Sequence, residues 1–157
     1  MTETLRPEWW FYHLSRTALE VAAPPLLQKC LEAGWRVLAV SPDMERLAKL
    51  DAALWTFDDN SFLPHGQAEA PGLDPARQPV LLSAKLKNAN AADALMLMDG
   101  TDAPVEAPFR RCMVMFEDAD HDARAKAREQ FKAAKDSGLV TRYFQQTSAG
   151  GWKEAGV

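Results

Sequence analysis

Short apolar runs alternate with helical patterns along this chain, and that alternation limits the folds open to it. Trp9–Leu14 is an aromatic and apolar run of strand length. Further strand patterns follow at WRVLAVS (35–41), Val80–Ser83, Ala94–Asp99, Cys112–Phe116 and Val140–Gln146. Helices are expected between them. Pro24-Pro25 opens one that runs to about Ala33 and stops at Gly34, because proline suits a first helical turn and glycine a terminus. Ser41-Pro42-Asp43 starts a second, with Leu47, Leu50, Ala53 and Leu54 on its inner face. Asp120–Ser137 forms a third, ended by Gly138. Strands separated by helices imply a mostly parallel sheet covered on both faces. The expected fold is a three-layer α/β sandwich, Rossmann-like and P-loop-like without a P-loop.

The 157 residues suit one domain, 1–157, with one modest core. Residues 66–79 hold Gly66, Pro71, Gly72, Pro75 and Pro79 and read as a flexible surface loop. Residues 148–157 read as a flexible tail with an anchor at Trp152. The start of the chain lacks the basic region, apolar run and cleavage site of an export signal, and no apolar run approaches the thickness of a bilayer. A cytoplasmic protein that does not engage membranes is therefore expected. Cys30 and Cys112 lie in apolar segments and read as buried free thiols.

The chemistry of nucleotide enzymes is missing from the pattern. A phosphate-cradling loop needs glycines so that backbone N–H groups can approach the anion. The turn after the first strand, SRTALEVAAPP, has none, and neither GxGxxG nor GxxxxGK[ST] occurs. His13, His65 and His121 have no second ligand at helical spacing, so no metal site is indicated. His13, at a strand end, reads as a packed or hydrogen-bonded residue, and His65 as a local hydrogen-bonding one. Asp58-Asp59 has no acid–base partner in view. No catalytic residue, cofactor or metal is expected. The net charge of −4 makes direct gripping of nucleic acid a poor fit, so any such contact is expected to be mainly indirect.

Two surfaces carry the functional expectations. In LDAALWTFDDNSFLPHG, Trp55 and Phe62 are candidates for a protein interface, where aromatics supply large buried area, while Phe57 is expected to cap the core. In DADHDARAKAREQFKAAKDSG, Ala123, Ala127 and Ala134 face the sheet, and Arg124, Arg128, Phe131 and Lys135 form one stripe beside them. Such a stripe is often just a solvated face. A phenyl ring among cations also suits an acidic peptide with an apolar end group, since arginine presents a planar fork to a carboxylate.

At LDAALWTFDDNSFLPH, AREQFKAAKDSG and the GGW tail, the sequence resembles the chi subunit of bacterial DNA polymerase III holoenzyme, from about Trp10 to Trp152. The resemblance implies a non-catalytic accessory subunit of the clamp-loader assembly within a DNA-directed DNA polymerase. Its partner would be the acidic C-terminal tail of single-stranded-DNA-binding protein, which ends in a Phe with a free carboxylate. By position, Arg128 would take that carboxylate and Arg124 the acidic side chains. Phe131 stands where tyrosine is common, keeping the ring without the hydroxyl. Trp55 and Phe62 would face the psi subunit, or another clamp-loader or helicase partner. The competing expectation is a nucleotide- or single-stranded-DNA-binding α/β protein with an unrecognised site.

Overall fold

The computed structural model describes residues 6–57 and 63–155. In chain order the elements are β1 (Glu8–Leu14), α1 (Leu19–Glu32), β2 (Val37–Val40), α2 (Met44–Thr56), β3 (His65–Gln67), a single 3-10 turn (Pro75–Arg77), β4 (Val80–Ser83), β5 (Ala94–Met98), β6 (Arg111–Glu117), α3 (His121–Asp136), β7 (Thr141–Gln146) and β8 (Trp152–Glu154). They build one sheet in the order β3-β4-β2-β5-β6-β1-β7-β8. Every neighbouring pair is parallel except β7 and β8. The three-layer α/β expectation holds. α1 and α2 cover one face, packing Leu27, Leu47, Leu50 and Leu54 against Tyr12, Ala39 and Met96. α3 covers the other over β1 and β6, and the rest of that face is closed by connecting segments carrying Leu73, Ala107 and Phe109. β2 and β5 are buried along their whole length, as an apolar strand between two covering layers must be.

Helix starts that depend on a local cap fall where the sequence places them. The Asp43 carboxylate accepts from Glu45 N–H at the head of α2, and the Asp120 carboxylate accepts from Ala123 N–H at the head of α3. Gly138 closes α3 at φ +73°, a conformation that glycine adopts without a Cβ clash. α1 differs from expectation. It begins at Leu19, so Pro24 and Pro25 lie inside it rather than at its start. Its cap comes from far away in sequence: the Glu117 carboxylate at the end of β6 accepts from Leu19 N–H at 2.9 Å. The two segments expected to be flexible each contain short regular elements. The 66–79 segment contributes Gly66 and Gln67 to β3, which pairs with β4, and it carries the 3-10 turn. In the 148–157 tail, Trp152–Glu154 form β8, paired with Gln146–Phe144, and Arg142 makes two guanidinium bonds of 2.7 and 2.8 Å to Glu154.

At the carboxyl ends of the central strands, Arg46 meets three carboxylates: Glu20 at 2.6 Å, Glu117 at 3.0 Å and Asp99 at 3.2 Å. The Ser41 hydroxyl donates to Asp99 at 2.6 Å. In open α/β sheets this end is where nucleotides bind. Here it carries three acids to one guanidinium, a local excess of negative charge that repels phosphate. Burial works to raise the Glu117 carboxyl, but Leu19 N–H and the Arg46 guanidinium more than reverse this and hold it below its usual value. A group with a lowered folded-state pKa contributes stability above its unfolded pKa and loses it as pH falls through the folded value. In urea titrations across the acid range, wild-type stability is expected to fall more steeply than that of Glu117→Gln. Parallel curves would remove Glu117 from the acid response.

Candidate functional site

The outer face of α3, the end of β1 and the exposed half of β7 enclose a cavity of about 350 Å³. Arg124, Ala127, Arg128 and Phe131 come from the helix, and His13, Phe116 and Tyr143 from the sheet beneath. The helix follows the expected division. Ala123, Ala127 and Ala134 are buried and let α3 sit close to the sheet, which leaves the next stripe of side chains at the rim. Gln130 is buried as well, donating to Thr101 O at 3.0 Å and to Asp102 Oδ1 at 3.2 Å.

Phe131 stands edge-on to Phe11, with ring centres 5.4 Å apart, and edge-on to Tyr143 at 6.0 Å. It is half-buried, so one side of its ring joins the core and the other forms the cavity floor. Arg128 is exposed at the mouth and makes no ion pair among the described residues. Arg124 is partly committed: its guanidinium donates to Asp118 O at 3.3 Å and lies 3.8 Å from Asp118 Oδ1. The fourth residue of the stripe, Lys135, is not among the lining residues. Its ammonium lies 5.7 Å from the centre of the Phe131 ring, on the helix beyond the cavity.

The sheet side was not anticipated as part of a site. His13 Nε2 lies 2.7 Å from Asp118 Oδ1, and Nδ1 lies 2.8 Å from the Tyr143 hydroxyl. A carboxylate only accepts, so Nε2 carries the proton. In the neutral ring Nδ1 then accepts from the Tyr143 O–H. The His13 bond holds the Asp118 carboxyl below its usual range, and burial pushes the Tyr143 phenol up. His13 is thus the hydrogen-bonded histidine expected from sequence, stacked on Phe116 at 4.8 Å. Removing the hydroxyl in Tyr143→Phe strands Nδ1 and is expected to cost about 0.5–1.5 kcal/mol in urea unfolding. Unchanged stability would show that solvent replaces that bond. Ala155, just past β8, forms part of the rim and donates its N–H to Tyr143 O at 2.8 Å, so the segment expected to be flexible closes one wall. The alternation along β7, with Tyr143 and Gln145 on one face and Arg142 and Phe144 on the other, is the signal that could have found this wall.

The second candidate surface lies elsewhere. Trp55 projects from α2 with 58% of its surface exposed, edge-on to His65 of β3 at 5.2 Å. His65 is buried in the sheet, with Nδ1 2.6 Å from Leu63 O and Nε2 3.1 Å from Asp51. Phe57 packs on the core as expected. Phe62, like Asp58 and Asp59, lies outside the described residues. β3 is one edge of the sheet and β7 is next to the other, while α2 and α3 are on opposite faces. Trp55 and the α3 cavity are therefore well separated.

The two cysteines are free and buried. Burial raises the Cys30 thiol and pushes Cys112 up to about 12, so neither is a poised nucleophile. No helix among the described residues is long and apolar enough to cross a membrane.

Residues 7–142 match the family described as "DNA polymerase III chi subunit, HolC". The chain belongs to the DNA polymerase III chi subunit family. A relative from Rickettsia prowazekii (strain Madrid E), described as "Probable DNA polymerase III subunit chi", is 31% identical over 91 residues. That match takes in 58% of this chain and 54% of the relative, so it spans about half of the relative's length. The whole of α3 lies inside the family match, whereas the end of β7, β8 and Ala155 lie beyond it.

Proposed function

We propose that this chi-family protein is a non-catalytic, cytoplasmic accessory subunit of the replicative DNA polymerase III. In this reading it couples the clamp-loader assembly to the acidic C-terminal tail of single-stranded-DNA-binding protein. The observation that carries the reading is an uncommitted guanidinium, Arg128, at the mouth of a cavity floored by Phe131 and Phe116. A terminal phenylalanine has the matching parts: a ring for the floor and a carboxylate for the fork. Arg124, already sharing Asp118, adds longer-range attraction for acidic residues upstream. Trp55 and Phe62 then serve as the surface for a psi-like partner or another clamp-loader or helicase component. The separation between Trp55 and the α3 cavity would let one chain hold both partners together.

The test is calorimetric titration with a short acidic peptide ending in Phe, beside the same peptide lacking the Phe. Binding of the first alone, weakening as salt is raised, is the expected result. Equal binding of both peptides sinks the terminal-Phe mode. For the other surface, Trp55→Ala is expected to leave the melting temperature within about 2 °C of wild type, because an exposed side chain carries little of the fold. It should also leave tail binding unchanged. A large loss of either would show that Trp55 serves the fold or the tail site instead.

A further inference from the structure

A second cavity of about 300 Å³ opens on the opposite face of the sheet, between the end of α1 and the starts of β1 and β6. Trp10, Trp35, Phe144 and Trp152 line it with Arg111 and Lys29. The Arg111 guanidinium lies 3.4 Å from the centre of the Trp10 ring and 4.8 Å from that of Trp35. Arg142 approaches Trp10 at 4.3 Å and Phe144 at 5.1 Å. β6 and β7 flank β1 on either side, so the two guanidiniums take opposite faces of Trp10. The result is a stack in the sequence Trp35, Arg111, Trp10, Arg142.

The two arginines differ in one respect. The edge of Arg142 is filled by the paired bonds to Glu154. Arg111 has its Nε shut away from water with no hydrogen-bond partner, and among the described residues neither Arg111 nor Lys29 has a carboxylate at ion-pair distance. A buried donor on a cation without an anion is costly, and aromatic faces offset only part of that cost. An incoming oxyanion would supply the counter-charge that Arg111 and Lys29 lack. Beside it, Leu26, Ala33 and Met113 offer apolar wall for one side chain.

We propose that this cavity is a second peptide-binding site, distinct from the α3 cavity, for an acidic segment of a partner protein that carries an apolar side chain beside an Asp or Glu. The charge pattern favours a peptide over a nucleic acid strand. One guanidinium and one ammonium lack a carboxylate partner among the described residues, and two acids lie next to the cavity's groups: Glu8 accepts from the Trp10 indole at 3.0 Å, and Glu154 holds Arg142. That suits one or two negative charges and opposes a run of phosphates. The faces of Trp10, where a base would stack, are already taken by guanidiniums.

The chain has five tryptophans, and each indole N–H gives its own resonance in a nitrogen–proton correlation spectrum. The probe is acetyl-Asp-Phe-amide, whose blocked ends leave the side-chain carboxylate as its anion. It is titrated into the full chain beside acetyl-Asn-Phe-amide and thymidine monophosphate. The indoles of Trp10, Trp35 and Trp152 should shift with the Asp peptide, those of Trp9 and Trp55 should not, and the Asn peptide should bind at least ten-fold more weakly. Lys29→Glu, on an exposed helix end, should weaken the response several-fold with the rest of the spectrum unchanged, and Arg128→Ala should leave it intact. No movement of the three indoles, or equal movement with Asp and Asn, overturns the proposal. A response to the nucleotide alone would reassign the cavity to nucleotides and overturn it as well.

Discussion

Arg128→Ala is expected to weaken binding of a Phe-ended acidic peptide by about 2–5 kcal/mol, the usual cost of removing one partner of a hydrogen-bonded charge pair. That is roughly thirty-fold to several-thousand-fold in Kd. The fold should not notice. Arg128 is exposed and makes no ion pair among the described residues, so the melting temperature should stay at the wild-type value. Arg124→Ala should lose less, about 1 kcal/mol or below, because its guanidinium is already shared with Asp118 and half-screened by solvent. The ordering of the two variants matters more than either magnitude. If Arg124→Ala proves the more damaging, the terminal carboxylate pairs with Arg124 in place of Asp118. If neither variant weakens binding in calorimetry, the tail lies elsewhere, and the cavity around Arg111 becomes the place to look.

Arg46→Ala should have the largest effect on stability, a loss of about 3–5 kcal/mol. Arg46 is the common partner of Glu20, Asp99 and Glu117, and its side chain is only 13% exposed. Without it, three carboxylates face one another at the ends of the strands with no cation between them. For a chain of this size the expected drop in melting temperature is on the order of 10 °C. Because the remaining acids repel, part of the loss should be recovered in the double variant Arg46→Ala/Glu117→Gln. A drop under about 1 kcal/mol in urea unfolding would mean that the cluster is solvated well enough to do without its arginine.

How much of this could be read from sequence depends on whether the cause is local. α2 and α3 start where Asp43 and Asp120 cap them, and α3 ends at Gly138, all within a turn of the residues they govern. α1 was misplaced because its cap is Glu117, 98 residues from Leu19, whereas the proline pair offered a plausible local start. β3 and β8 are three residues each and carry no periodicity of their own. Their strand character comes from the partner they pair with. The site divides in the same way. Arg124, Arg128 and Phe131 share a helical stripe, so spacing alone brings them together. His13, Phe116, Tyr143 and Ala155 reach the same cavity only because the sheet places β1 between β6 and β7 and returns β8 to its edge.

That placement of β1 also sets the order in which the molecule can be made. β1 leaves the ribosome well before either of its neighbours, β6 and β7, which pair Trp10 with Met113 and Arg142. Until those residues emerge, an aromatic strand with two open edges waits in the nascent chain. Contacts so distant in sequence slow folding, and an unpaired apolar strand invites association with other chains. The half-sheet of β2, β4 and β5 can assemble earlier, from residues 37–98 alone. Shortening the chain before β7 should therefore harm solubility during synthesis more than its small share of the mass would suggest.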